Sequence, residues 1–129
     1  MENNGIILLV DNDLYLNNTN QNNFYWRDYT VLTATSYNEA RMMLRKTEPD
    51  IIIMEAILPD GDGFDFCREI VSETLASIVF LTIKTDSSDM VRGFTLGADE
   101  YLKKPIHREV LAARIEVVMR RRKRTEVFQ

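Results

Sequence analysis

The chain has 129 residues, 45% hydrophobic and 28% charged, with a formal net charge of −4; this suits one compact domain and argues against nucleic-acid binding over the whole surface. A single cysteine, Cys67, excludes an internal disulfide and a multi-cysteine metal site. The apolar runs are far shorter than the ~20 residues that span a bilayer, and the polar start MENNG lacks a secretory pattern, so a cytoplasmic protein without membrane contact is expected.

Ile6–Val10 (IILLV) is a continuous apolar run of strand length. Asp13 can cap a helix over 13–27, a poor one by propensity, because NNTNQNN competes for backbone hydrogen bonds. Packing of Leu14, Leu16, Phe24 and Trp26 must carry it. Thr30–Ala34 reads as the second strand. Ser36, with Glu39 at capping-box spacing, opens the helix of YNEARMMLRK. Pro49 ends that unit. Ile51–Met54 is the third strand, followed by Glu55 and a Pro/Gly/Asp loop. Gly63–Ser72 reads as a helix with apolar Phe64, Phe66, Cys67, Ile70 and Val71. Ile78–Leu81 is the fourth strand, Asp86–Leu96 a helix stopped by Gly97, and Tyr101–Leu102 the fifth strand. Arg108–Arg122 is the final helix, with Leu111, Ile115 and Val118 on one face.

This alternation predicts an α/β fold, a doubly wound five-stranded parallel sheet with helices on both faces. Its functional crevice should lie at the carboxyl ends of the strands. Asp11, Asn12, Asp13, Glu55, Thr82, Lys103 and Lys104 gather there. Acids after the first strand suit Mg2+, a hard oxygen-seeking cation. A carboxylate after the third strand can act as a nucleophile toward phosphorus, while a hydroxyl and an ammonium can steady phosphoryl oxygens. Each is weak evidence alone; together at successive strand ends, closed by Lys104-Pro105, they form a strong signal.

Through ILLVDND, DIIIMEAILPDGDGFDF, IVFLT and GADEYLKKP, the chain resembles the receiver domain of two-component response regulators, from about Ile6 to Arg122. The resemblance implies the flavodoxin-like receiver fold. It also implies Mg2+ at the positions of Asp11, Asn12 and Glu55, and phosphoryl transfer from a sensor histidine kinase to the position of Glu55. Thr82 and Lys104 would bind the phosphoryl group, and Tyr101 matches the aromatic that rotates with the switch hydroxyl. Three positions depart from the pattern. Glu55 replaces aspartate and reaches about 1.5 Å further, where a misplacement of about 1 Å can cost roughly 100-fold. Asn12 replaces an anionic metal ligand, so Mg2+ should bind weakly, unless a one-residue slip recruits Asp13. Ile83 stands where the family keeps Ala or Gly, and its bulk should narrow the opening.

The expectation is an atypical receiver, not an enzyme, that regulates transcription without aspartyl phosphorylation and leaves a histidine kinase a doubtful partner. Glu55 would stand in for part of a phosphoryl group beside Thr82 and Lys104. Two alternatives stay open: a working Mg-dependent phosphoacceptor using Glu55 or a nearby acid (Asp60, Asp62), and a small-ligand sensor. The stretch 89–124 is most similar to the branch that precedes a winged-helix DNA-binding domain and dimerises through the fourth helix, fifth strand and fifth helix. By that resemblance Glu100 and Arg114 pair across a homodimer, with Asp99, Arg120 and Arg121 nearby. Met90 and Val110 replace a lysine and a glutamate, exchanging a screened ion pair worth little for an apolar contact. DNA would be reached only through an absent output domain, with 1–122 the receiver-like domain and 123–129 the start of a linker or tail. The basic segment RIEVVMRRRKR is read as a solvated helix end, His107 as a helix-start surface residue and Cys67 as a buried small hydrophobe. Phe24, Tyr25 and Trp26 are read as core and rim.

Overall fold

Burial on both faces decides which apolar runs become central strands. In the computed structural model, which describes residues 5–13 and 29–128, these are β1 (Ile6–Val10), β3 (Ile51–Met54) and β6 (Ser77–Thr82). Together with β2 (Thr30–Ala34) and β7 (Glu100–Lys103), they form a five-stranded parallel sheet in the order β2-β1-β3-β6-β7. The flavodoxin-like doubly wound fold expected from the sequence is therefore present. The helix expected over 13–27, with Leu14, Leu16, Phe24, Tyr25 and Trp26, lies outside the described residues beyond Asp13.

Successive strand residues point to opposite faces, and the core divides accordingly. Leu8, Val10, Ile52, Met54, Ile78 and Phe80 pack on one face with Tyr37 and Ala40 of α1 (Tyr37–Leu44) and Phe64, Phe66, Cys67 and Ile70 of α2 (Gly63–Ile70). Ile7, Leu9, Ile53, Val79 and Leu81 pack on the other with Leu111, Ile115, Val118 and Met119 of α4 (Arg108–Phe128). Each Val, Leu, Ile, Phe or Met side chain among these contributes roughly 1.5–3 kcal/mol when fully buried.

Several local expectations change. Ser36 caps α1, its Oγ accepting from the Glu39 N–H at 3.1 Å, but Glu39 reaches past Ser36 to the Thr35 N–H at 3.3 Å. The residues read as loop after Glu55 form a small antiparallel hairpin, β4 (Ile57–Leu58) and β5 (Gly61–Asp62). From its tip Asp60 accepts the N–H groups of Tyr37 and Asn38 at 3.1 and 3.0 Å, while Asp62 caps α2 through Phe64 N–H at 2.7 Å. α2 ends at Ile70 rather than Ser72, and beyond it the chain closes a turn in which the Ile70 carbonyl accepts the N–H groups of both Glu73 and Thr74. The next helix, α3 (Ser87–Thr95), is shorter by one residue at each end than expected. Past its end Gly97 adopts a φ of +114°, which favours glycine.

α4 does not end at Arg122 but continues to Phe128. No glycine or proline interrupts it, and Arg122 is tied down. Its guanidinium donates to the Leu75 carbonyl at 2.7 Å and to Ser77 Oγ at 3.1 Å, and lies 3.8 Å from Asp50.

Candidate functional site

Strand register assembles the site. β1 and β3 pair Val10 with Met54, so Asp11 and Glu55 emerge side by side. β6 ends on Thr82, which pairs with Lys103, and Lys104 follows. The ladder extends one residue past the strands: Asp11, Glu55 and Lys104 donate their N–H groups to the carbonyls of Ala34, Val10 and Thr82 at 2.9, 3.0 and 2.9 Å. Both acids thus leave the sheet at its topological switch point.

The Lys104 ammonium lies 2.7 Å from Asp11 Oδ2, 3.4 Å from Glu55 Oε1 and 4.0 Å from Asp13 Oδ2. Asp11 is 1% exposed and Glu55 9%. Burial works to lower the Lys104 pKa, but the hydrogen bond and charge of Asp11, then of Glu55, outweigh it and raise it above the ordinary value. Glu55 is held elsewhere as well. Its Oε2 accepts the Ala56 N–H at 2.6 Å, and its carbonyl accepts the Tyr37 hydroxyl at 2.5 Å. Burial first, then the Glu55 charge, pushes the Tyr37 hydroxyl pKa well above its usual value. Gly63 makes this packing feasible: a Cβ there would lie 2.6 Å from the Glu55 carbonyl oxygen and 2.9 Å from the Ala56 Cα.

The structure therefore brings Asp11, Glu55 and Lys104 together, with Asp13 at the margin. Thr82 is buried nearby, its Oγ1 accepting the Lys84 N–H at 3.1 Å. Tyr101 packs inside, 5% exposed, with its hydroxyl donating to the Lys84 carbonyl. Asn12 is exposed. Ile83 is 75% exposed, so its bulk faces solvent instead of filling the crevice. Tyr37, Gly63 and Lys84 were not singled out from the sequence. Only Tyr37 left a trace there, as an aromatic at the first position of a capped helix.

Toward the Mg2+ implied by the resemblance, the donors are Asp11, Glu55 and the Asn12 amide. Both carboxylates already face the Lys104 ammonium. Among the described residues, no group of three or more His, Cys, Asp or Glu side chains is placed to hold a metal ion. Asp11 and Glu55 offer a hard dication two carboxylates, and the neutral Asn12 amide leaves it one anionic ligand fewer than the resemblance implies.

On the α3–β7–α4 face, Glu100 and Arg114 approach to 3.7 Å within one chain, and Asp99 accepts the Ile78 N–H at 2.9 Å. Met90 and Val110 are 37% and 47% exposed, and Val91 and Phe94 on α3 are 64% and 45% exposed. Arg120 and Arg121 are exposed on α4, His107 is exposed before its first turn, and Cys67 is buried. Burial raises the Cys67 thiol pKa to about 11. No helix among the described residues is long and apolar enough to cross a membrane.

Comparison with known proteins agrees with this fold. Residues 7–116 match the family model of the response regulator receiver domain. The chain is 36% identical over 118 residues to the transcriptional regulatory protein AfsQ1 of Streptomyces coelicolor, covering 92% of this chain and 52% of that protein. It spans about half the length of the curated relatives it matches. Among solved structures, the non-phosphorylated HemR receiver domain of Leptospira biflexa superposes with a TM-score of 0.81 at 35% identity, covering 88% of this chain and 93% of that one. A two-component response regulator from Clostridium difficile superposes with a TM-score of 0.84 at 28% identity, covering 90% and 96%.

Proposed function

The chain belongs to the response regulator receiver family, and from that premise we propose that it is an atypical receiver that works without aspartyl phosphorylation. It is a signalling module rather than an enzyme, and its output is transcription regulation through dimerisation. The observation that carries this reading is the Lys104 ammonium, already bridged between Asp11 and Glu55. The cation that would receive a phosphoryl oxygen is neutralised from inside the site. Glu55 spends its other oxygen on the Ala56 N–H, leaving its carboxylate committed at both ends.

Asp60 and Asp62 are poor substitutes as acceptors, because Asp60 accepts the first two N–H groups of α1 and Asp62 caps α2. With Asn12 neutral, Mg2+ binds weakly and a sensor histidine kinase has little to act upon. DNA is contacted through an output domain such as the longer relatives have room for. Dimerisation uses the α3–β7–α4 face, with Met90 and Val110 at its centre and Asp99, Glu100, Arg114, Arg120 and Arg121 around them.

Intact-protein mass after incubation with Mg2+ and a small phosphodonor tests the reading. The Asn12→Asp, Glu55→Asp double variant serves as positive control. The native chain should stay unmodified while the control gains one phosphoryl group. A phosphorylated native chain overturns the proposal, and mapping the modified residue would identify the working acid.

A further inference from the structure

Lys84 ties three parts of the molecule together through three different groups. Its N–H donates to Thr82 Oγ1, and its carbonyl accepts the Tyr101 hydroxyl. Its ammonium lies 3.3 Å from Asp89 Oδ1 in the first turn of α3, where the Asp89 side chain is only 14% exposed. The loop that carries the acceptor for Tyr101 is thus pinned to α3 by an ion pair.

The ring of Tyr101 is held from the other side. A Cβ on Gly93 would lie 2.8 and 3.0 Å from two carbons of that ring and 3.4 Å from the Phe80 ring. Gly93 is inside α3 and its φ is not positive, so its backbone does not need a glycine. Glycine weakens a helix interior; what it supplies here is the absent side chain. Into that notch the Tyr101 ring fits, 5.4 Å from Phe80 and 6.4 Å from Phe94 between ring centroids.

We propose that Gly93 and the Lys84–Asp89 pair are positioning residues, a notch and a latch that hold Tyr101 inward and seat α3 against β7. The arrangement of Met90, Val91 and Phe94 on α3 then follows from this seating. The inference stands apart from whether Glu55 accepts a phosphoryl group, and its test contains no phosphodonor.

The experiment is fluorine NMR of the full chain labelled with 3-fluorotyrosine, the Tyr101 line being assigned by Tyr101→Phe. The shift between H2O and D2O reports exposure of the ring. Tyr101 of the native chain should give one buried line. Gly93→Ala overpacks the notch and should lower the ratio of inward to outward ring by roughly five- to hundred-fold. Lys84→Gln and Asp89→Asn each remove a partly screened pair, for a change of about two- to five-fold. The exchange Lys84→Asp with Asp89→Lys should restore the buried line, which general loosening of the loop would not do. Should Gly93→Ala fail to fold, the same change in a Tyr101→Ala background should be tolerated, since the ring it meets is gone. The proposal is overturned by a Tyr101 line that stays buried in all three single variants. It is equally overturned by a charge exchange no better than the single changes, or by a Gly93→Ala defect that persists without the ring.

Discussion

Lys104 is the residue on which the crevice depends electrostatically. Removing one partner of a buried ion pair leaves the other charge without compensation, at about 3–5 kcal/mol. Lys104→Met should therefore destabilise the chain by about 3 kcal/mol, the lower figure reflecting its 16% exposed side chain. A shift of the urea midpoint checks this. Glu55→Gln should cost much less, since Asp11 keeps the shorter contact with the ammonium. Tyr101 adds a pH dependence. Burial first, then the charges of Asp89 and Glu55, raise its hydroxyl pKa to about 12. The folded state then holds a proton that the unfolded chain releases near pH 10, so this contribution is complete below pH 10. It is lost as pH rises toward about 12. The Tyr101→Phe variant should show a shallower fall in stability across that window when melting temperatures are compared.

At the scale of elements, the strands were legible because the sheet is covered on both faces and each central strand must be a short unbroken apolar run. Ile6–Val10, Ile51–Met54 and the core of β6 carry that mark directly. What the sequence concealed depends on contacts between elements. The hairpin β4–β5 looked like a loop because its strands are two residues long, and it is held by Asp60 donating no bond but accepting two from α1. Asp60→Ala should accordingly weaken the start of α1 by about 1 kcal/mol, as loss of a cap does. Hydrogen exchange at Tyr37 and Asn38 reads that loss locally. Likewise the extent of α4 was hidden, since a run of arginines reads as a solvated end until Arg122 is seen to turn inward. The site itself was legible in its acids, hydroxyl and lysine. Glu55 beside Lys104 was expected; the shorter Asp11–Lys104 contact was not, because it requires the strand register that sets Asp11 beside Glu55.

At the scale of the whole molecule, the question is what an output face gains from apolar residues. Two of its acids are already engaged inside one chain, Glu100 with Arg114 and Asp99 with the Ile78 N–H. Charges satisfied in this way must be desolvated or re-paired before they help a partner bind, so they supply little net attraction. Met90, Val91 and Phe94 on α3 and Val110 on α4 remain exposed, and their burial against a second copy is favourable without strict charge matching. Dimerisation driven mainly by this patch should survive high salt, whereas an ion-paired interface weakens with screening. Sedimentation of the native chain at low and high salt should therefore give nearly the same dimer constant. Met90→Lys alone should weaken the dimer by about tenfold, roughly the 1.4 kcal/mol of a lost apolar contact. Adding Val110→Glu should recover part of that loss at low salt and forfeit it at high salt. A monomer at all concentrations in the native chain would remove dimerisation from the proposed mechanism, while leaving the Lys104 ion pairs and the seating of Tyr101 to be judged by their own tests.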